Sequence, residues 1–447
     1  MKRFLYILAG AVFLVLTYIL LSSTFPKMAD RIPLLVFLFA IDFYLWYSIR
    51  KDLKKIKASW KYGITFLYWL PFVMMVGMGL ALIVKPYYTW TGAFAIYAFG
   101  ISFVIYISKL LAVLFFLIMD LIRIVDFSFR FAKAKRQKKP FNQEATTMNR
   151  ARFLKTMGLA GGGLLLSGML VGVIKWAYDF RVRREFIRLP SLPASFDGLR
   201  VVQISDLHLG SWISSDPLDE AAELINSLNP DLVMFTGDLV NSTTSEAIRF
   251  RDSLKKIKAS QGIYAVLGNH DYGDYVNWPD KVAKQKNLQM LYDFYEGLGW
   301  KLLNNESNVI KRGEDKIAIL GVENWSKNKR FPQYGDLDKA LAGTGDSPVR
   351  ILLSHDPTHW EKIVTEKHPE VDLTLSGHTH GFQFGVEFKG FKWSLAQYMY
   401  KYWAGLYDLT NRGRQQYLYV NRGLGMIGYP GRVGILPEIT LLELSRA

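Results

Sequence analysis

The chain has 447 residues, half of them hydrophobic, with a formal net charge of +16 and no cysteine. Without cysteine there are no disulfides and no thiolate metal sites, so any metal must rest on His, Asp, Glu, Asn or main-chain oxygens. The basic excess invites a nucleic-acid reading, but Met1–Glu185 carries 26 Lys and Arg against 8 Asp and Glu, and the remainder 29 against 31. The positive charge therefore belongs to the N-terminal half, and no nucleic-acid partner is expected.

Four apolar stretches predict transmembrane helices: Phe4–Leu21, Ile32–Ile49, Ile64–Val84 and Ala93–Met119. Each can cross most or all of a hydrocarbon core of about 30 Å. Lys2 and Arg3 precede the first like the start of a signal peptide, but three more spans follow, so an uncleaved anchor is expected. Trp60, Tyr62, Tyr68, Trp69, Tyr87, Tyr88 and Trp90 gather near span ends, as interfacial aromatics do. Basic residues crowd the loop Arg50–Lys61 and the segment Arg123–Lys155, while the intervening loops hold only Lys27 with Arg31, and Lys85. That bias predicts a cytoplasmic N-terminus and cytoplasmic basic segments. Lys109, inside the fourth stretch, calls either for snorkelling or for an early end to the span.

Thr156–Ile174 is apolar but rich in glycine, a poor composition for a strong helix. Just before it, Arg150-Ala151-Arg152-Phe153-Leu154-Lys155 resembles a twin-arginine export signal in which Ala151 replaces the second arginine. The reading favours a fifth span and an extracytoplasmic C-terminal domain, although Lys175, Arg181, Arg183 and Arg184 then stand on the outer side.

After Arg200, short apolar runs end in loops crowded with Asp, His, Asn and Gly. Val201–Ile204 leads to Asp206 and His208, and Leu232–Thr236 to Gly237-Asp238. Ile263–Leu267 leads to Gly268-Asn269-His270-Asp271, Val349–Leu353 to His355, and Leu373–Leu375 to Gly377-His378-Thr379-His380. With helix-like stretches at Leu218–Leu228 and Ile248–Ile257 between them, the runs predict strands of a buried, mostly parallel sheet. Ligands gather at the carboxyl ends of such strands. Two cations about 3.5–4 Å apart need a bridging carboxylate and neutral donors around it. Asp206, His208 and His380 suit one ion, Asn269, His355 and His378 the second, and Asp238 the bridge. Of the seven histidines, His359 and His368 fall outside the set, and a place on a helix surface or local hydrogen bonding is expected for both.

The ordered series D-x-H, G-D, G-N-H-D, H and G-H-x-H across Asp206–His380 resembles the calcineurin-like metallophosphoesterase superfamily. The resemblance implies an α/β fold of four layers, α/β/β/α, with two packed sheets, here preceded by an all-α transmembrane bundle. It implies two divalent ions (Mn, Fe or Zn), metal-bound hydroxide as nucleophile, His270 as general acid, and Asp271 orienting His270. Val420–Gly425, Pro437–Leu442 and His378–Gly381 followed by Gln383 are similar to the membrane-associated bacterial phosphodiesterase branch (YkuE/YaeI-like), which implies a bacterial inner-membrane location. Where many relatives have a second glycine, this chain has Phe382.

The domains expected are a four-span bundle (1–125), a basic cytoplasmic linker (126–155), a fifth span and connector (156–186) and a phosphoesterase domain (187–447). Arg422, Gln383 and Arg432 are candidate substrate contacts. The aromatic segment Phe391–Tyr407 either forms a membrane-facing wall for an acyl chain or simply covers the sandwich. The leading expectation is a membrane-anchored phosphodiesterase acting on a lipid-linked or envelope phosphoester. The alternatives are a UDP-2,3-diacylglucosamine pyrophosphohydrolase of lipid A synthesis, and a metal-loaded scaffold without turnover. The intact His270-Asp271 pair speaks against the scaffold.

Overall fold

The computed structural model describes residues 32–53, 56–84, 94–137 and 148–446, together with Tyr18. Apart from Tyr18, the expected span Phe4–Leu21 lies outside them, as do the loop residues Lys27, Arg31 and Lys85 and the aromatics Tyr87, Tyr88 and Trp90. So do Lys54, Lys55, Lys138 and Lys139. Two compact units divide the chain, and the long N-terminal run of helices passes into the second unit between Leu170 and Val171.

The first unit is helical: α1 Ile32–Leu53, α2 Ala58–Val84, α3 Phe94–Arg136 and α4 Met148–Ile174. All four are long and apolar enough to cross a membrane, and the protein is an integral membrane protein. At 1.5 Å per residue α3 is about 65 Å long, roughly twice a hydrocarbon core. Its last turn carries Lys133, Lys135 and Arg136, with Asp120–Arg123 and Asp126–Arg130 pairs along the helix.

The glycine-rich stretch is fully helical in α4. Its glycines serve close packing: a Cβ on Gly162 would stand 2.8 Å from the Ser108 carbonyl oxygen, and one on Gly158 2.9 Å from Phe115 Cβ. Four residues apart, the two share one helix face and let α3 approach at backbone distance. Contact recovers what helix propensity gives up.

Lys109 neither snorkels nor ends its span. Helix α3 runs straight through it, and its ammonium reaches inward to Asp42 of α1 at 2.5 Å, with the two side chains only 11% and 0% exposed. Tyr106 donates to the other Asp42 oxygen at 2.6 Å, Tyr68 donates to the Asp42 carbonyl at 2.7 Å, and Lys109 also donates to the Tyr68 carbonyl at 3.1 Å. A charge among apolar helices persists only when a partner neutralises it and its remaining polar atoms are bonded.

The second unit contains β1 Arg181–Arg188, β2 Leu199–Ile204, α5 Asp216–Ser227, β3 Leu232–Phe235 and β4 Ile263–Ala265. There follow α6 Lys281–Leu298, β5 Lys301–Leu302, β6 Glu306–Arg312, β7 Asp315–Gly321, α7 Leu337–Ala342, β8 Arg350–Leu353 and β9 Leu373–Ser376. A hairpin, β10 Gly385–Phe388 with β11 Phe391–Ser394, precedes β12 Gly405–Asn411, β13 Arg414–Val420 and β14 Glu438–Ser445. The helix expected over Ile248–Ile257 is broken into single turns at Phe250, whose φ of −100° and ψ of 2° leave the helical region.

The strands form two six-stranded sheets, ordered β1-β14-β2-β3-β4-β5 and β12-β13-β9-β8-β7-β6. The chemistry-bearing strands are therefore split, β2, β3 and β4 in one sheet and β8 and β9 in the other, each parallel to its neighbour within that group. Alternation along each strand builds the layers. Val201, Leu232, Met234, Ile317, Ile319 and Ile351 fill the space between the sheets. Val202, Val233 and Phe235 face α5 and α6, while Ala318, Leu320 and Leu352 face α7 and the helical turns after Pro357. Helix, sheet, sheet, helix: the four expected layers are present.

The ion pair in the first unit is testable. Lys109→Met leaves Asp42 charged and unpaired and should cost about 3–5 kcal/mol of stability, seen as a lower melting temperature in detergent. Combining Asp42→Leu with Lys109→Met should recover most of the loss, whereas additive losses would speak against the pairing.

Candidate metal centre

Each chemistry-bearing strand stops where its chain must turn, and the turn is sharp. Asp206, His208, Asp238, His378 and His380 all have positive φ, between 44° and 72°. Such backbone costs about 1–3 kcal/mol per residue and survives only where the surroundings enforce it. The loops also press against each other at their backbones. A Cβ at Gly268 would collide with the Asp238 carboxylate, and one at Gly377 with the side chains of Ser205 and Asp206.

The result is a cluster of donors. Asp206, His208 and His380 bring one ligand atom each within 4.8 Å of one another, and so do Asp238, His355 and His378. Nε2 of His380 lies 3.2 Å from Asp206 Oδ1 and 3.1 Å from His208 Nε2. Asp238 Oδ2 is 3.2 Å from His355 Nε2 and 3.5 Å from His208 Nε2, so it faces both groups. Asp238 Oδ1 accepts from the His270 amide at 2.8 Å. Asn269 donates from Nδ2 to the Tyr275 hydroxyl at 2.8 Å, and its buried Oδ1 has no protein partner. Imidazole nitrogens and carboxylate oxygens converging this closely, beside an unsatisfied amide oxygen, fit divalent cations held by nitrogen and oxygen donors.

The ring orientations are set from behind. His355 Nδ1 donates to the Thr236 carbonyl at 2.7 Å, leaving Nε2 for the centre. His378 is turned the other way: its Nε2 is 3.0 Å from the Tyr400 hydroxyl and 3.4 Å from Asp356 Oδ2, and its Nδ1 faces His355. Burial would favour protonated carboxyls at Asp206 and Asp238, but the facing histidines hold both well below the usual carboxylate range. Burial keeps His208 far below its ordinary value and therefore neutral. Against its burial, His355 is pushed the other way by Asp238 and Asp206, up to about 10, so a cation binding there takes the place of its proton and leaves the anionic carboxylates and neutral imidazoles that hold metal.

His270 sits at the edge of the cluster, edge-on to His208 and stacked on Tyr275 with ring centroids 4.3 Å apart. Its Nδ1 lies 2.7 Å from the Asn241 carbonyl oxygen. Asp271 does not orient it, contrary to the sequence expectation. Following His270 in a tight turn, Asp271 points into the protein, where its carboxylate accepts from the amides of Asp238, Leu239, Val240 and Gly268 at 2.9–3.3 Å. Burial, with Asp238 nearby, pushes it up to about 7. Asp271 pins the Asp238 loop to the Asn269 loop, and the main chain at Asn241 orients His270.

The other candidates are committed to the protein. Arg422 is 2% exposed, with its guanidinium on Glu438 and, at 3.0 Å, on Glu387. Gln383 donates to the carbonyls of Tyr429 and Gly431 and accepts from the Ile427 amide. Arg432 is wholly buried and donates to the carbonyls of Arg422, Gly423 and Gly425. That loop in turn supports the Asp206 turn, since Leu424 and Gly425 donate to the carbonyls of Ser205 and Asp206. His359 and His368 bond locally, to Ser354 and Glu370. Sequence reasoning missed Tyr275, Asp356 and Phe331, whose ring meets His378 edge-on at 5.2 Å. Only Asp356, next to His355, carried any signal.

Asp271→Asn offers one acceptor oxygen where two now serve four amides. It should lower the melting temperature by the equivalent of about 2–3 kcal/mol and reduce bound metal per chain, measured by elemental analysis of the purified protein.

Comparison with known proteins agrees with this geometry. The family described as "Calcineurin-like phosphoesterase" matches residues 199–382, and "Probable Calcineurin-like phosphoesterase, transmembrane domain" matches residues 28–176. "Transmembrane protein with metallophosphoesterase domain" of Danio rerio is 32% identical over 295 residues, 64% of this chain and 62% of that protein. The match to the Bos taurus protein of the same name likewise spans only 60% of its length. "Uncharacterized metallophosphoesterase YkuE" of Bacillus subtilis is 31% identical over 304 residues, 67% of this chain and 98% of YkuE. "UDP-2,3-diacylglucosamine pyrophosphatase LpxG" of Chlamydia trachomatis is 30% identical over 287 residues, 55% of this chain and 83% of LpxG. Sheets, donor cluster and likeness agree: this chain belongs to the calcineurin-like metallophosphoesterases.

Proposed function

We propose that this membrane protein is a phosphodiesterase acting on a lipid-linked or envelope phosphoester. The observation that carries the reading is the pair of donor groups facing one shared carboxylate, Asp238, with His270 at their edge. In it, Asp206, His208 and His380 would hold one divalent ion and Asn269, His355 and His378 a second, with Asp238 facing both groups. When bound, such ions activate water and neutralise the nonbridging oxygens of a phosphate. His270 does the proton work. Its Nδ1–H is held by the Asn241 carbonyl, which leaves Nε2 to carry the proton given to the departing oxygen. Tyr275 stacked on the ring keeps it facing the cluster.

Membrane-spanning helices in the same chain support a lipid-linked substrate, because they keep the catalytic unit close to a bilayer. The likeness to a protein named a UDP-2,3-diacylglucosamine pyrophosphatase favours a second, more specific reading, in which that nucleotide-linked lipid is the substrate. The two readings differ over the side of the membrane. We place the catalytic unit, whose first strand is β1, outside the cytoplasm, beyond a span formed by α4; the nucleotide-linked lipid requires the cytoplasmic face.

His270→Ala should retain metal but lose about 10²–10⁴-fold in turnover of alkyl phosphodiesters. The loss should be much smaller with bis-nitrophenyl phosphate, whose leaving group departs without a proton. Equal losses on both would remove His270 from the acid role. Because the chain has no cysteine, Asp216→Cys on the exposed start of α5 reports sidedness directly. Labelling by an impermeant maleimide in intact spheroplasts should occur at once. Protection until lysis would transfer support to the nucleotide-linked lipid.

A further inference from the structure

The hairpin β10–β11 belongs to neither six-stranded sheet. Its register pairs Val386 with Trp393 and Phe388 with Phe391 on one face, and Glu387 with Lys392 on the other. The polar face is fastened to the domain: Glu387 bonds Arg183 and Arg422, and Lys392 donates to the Ala404 carbonyl. The apolar face is left outward, with Val386, Phe388 and Phe391 at 52%, 65% and 59% exposure. Lys389 and Gly390, both at positive φ, make the two-residue turn that places the two phenylalanines side by side at the tip. Immediately after the hairpin, Leu395, Tyr398 and Met399 continue the exposed apolar run at 46%, 73% and 64%.

So many large apolar groups in the fourteen residues from Val386 to Met399 do not stay in water without a purpose. Three observations say what covers them. The chain spans a membrane, so a bilayer is always within reach of this unit. The patch is mixed with exposed cations, Lys389 near the Phe388 ring and Lys401 near the Tyr402 ring. Aromatic and aliphatic groups interleaved with lysine match the acyl boundary and anionic headgroups of a lipid surface. Finally, the patch is continuous with the metal centre, since Phe382 meets Tyr400 edge-on at 6.4 Å and the Tyr400 hydroxyl lies 3.0 Å from His378 Nε2.

We propose that the apolar face of the β10–β11 hairpin, with Leu395, Tyr398 and Met399, docks into the interface of a lipid bilayer and delivers a phosphoester lipid to the metal centre. The face holds the domain at headgroup depth while Phe382 and Tyr400 line the path from the bilayer to the ligands. The delivery step rests on the lipid-linked reading above; the docking does not.

The test uses the full chain in nanodiscs of phosphatidylethanolamine and phosphatidylglycerol. Single cysteines replace Phe388, Tyr398 or, as a control on the far turn between β6 and β7, Glu314, and each is labelled with bimane. Brominated acyl chains should quench the label at 388 and 398 and leave 314 unchanged, and Lys389→Glu should reduce the quenching at 388. No quenching at 388 or 398, in protein that still hydrolyses bis-nitrophenyl phosphate, overturns the docking and leaves the hydrolase intact. Blue-shifted but unquenched labels also overturn it, since the patch is then covered by protein, either this chain or a second copy. Quenching without hydrolysis upholds the docking and counts instead against the proposed reaction.

Discussion

Everything in the catalytic unit follows from the need to hold three carboxylates, Asp206, Asp238 and Asp271, buried at the ends of adjacent strands. Like charges withdrawn from water repel strongly, and no arrangement of apolar side chains relieves them. The fold answers each one separately. Asp271 is met by main-chain amides, and Asp206 and Asp238 by imidazoles that face them at little more than 3 Å. What remains is an electron-rich pocket whose natural counterweight is a divalent cation.

The two sheets are what make that pocket small. β2, β3 and β4 supply donor side chains from one sheet and β8 and β9 from the other, so the packed interface between them, filled by Val201, Met234, Ile351 and their neighbours, sets the spacing of the two donor groups. Behind them the loop from Asn421 to Gly425 props the Asp206 turn from the far side. Arg432 stands under that loop, its guanidinium spent on three main-chain carbonyls. Residues with the chemistry of substrate binding act here as masonry.

The convergence of these donors was legible in sequence because strand ends that gather polar chemistry leave a joint signature: apolar run, glycine, then a donor. Strand positions could be read within a residue or two for the same reason. The division of those strands between two sheets could not, since period-two apolar runs buried on both faces look alike in either sheet; only the likeness to a known family implied it. Lys109 looked anomalous because its partner, Asp42, lies 67 positions away, and no local pattern joins them. The inward turn of Asp271 depends on four amides contributed by two loops, which a one-dimensional pattern cannot display. Tyr275 and Phe331 come from irregular segments where aromatic residues carry no periodicity. Alpha-helical propensity misjudged α4, because glycine there is chosen by a neighbouring helix rather than by its own.

The left-handed backbone at Asp206, His208, Asp238, His378 and His380 has a wider meaning. Outside glycine, this conformation is tolerated best by asparagine, aspartate and histidine, the same short list that supplies oxygen and nitrogen donors to a hard or borderline cation. Each of these sites is thus filtered twice, by coordination and by stereochemistry, and the permitted alphabet shrinks to two or three letters. Glutamate or cysteine, competent ligands elsewhere, would have to twist the turn before touching an ion. Attempts to retune the metal preference of this protein by swapping donors will meet that geometric veto first.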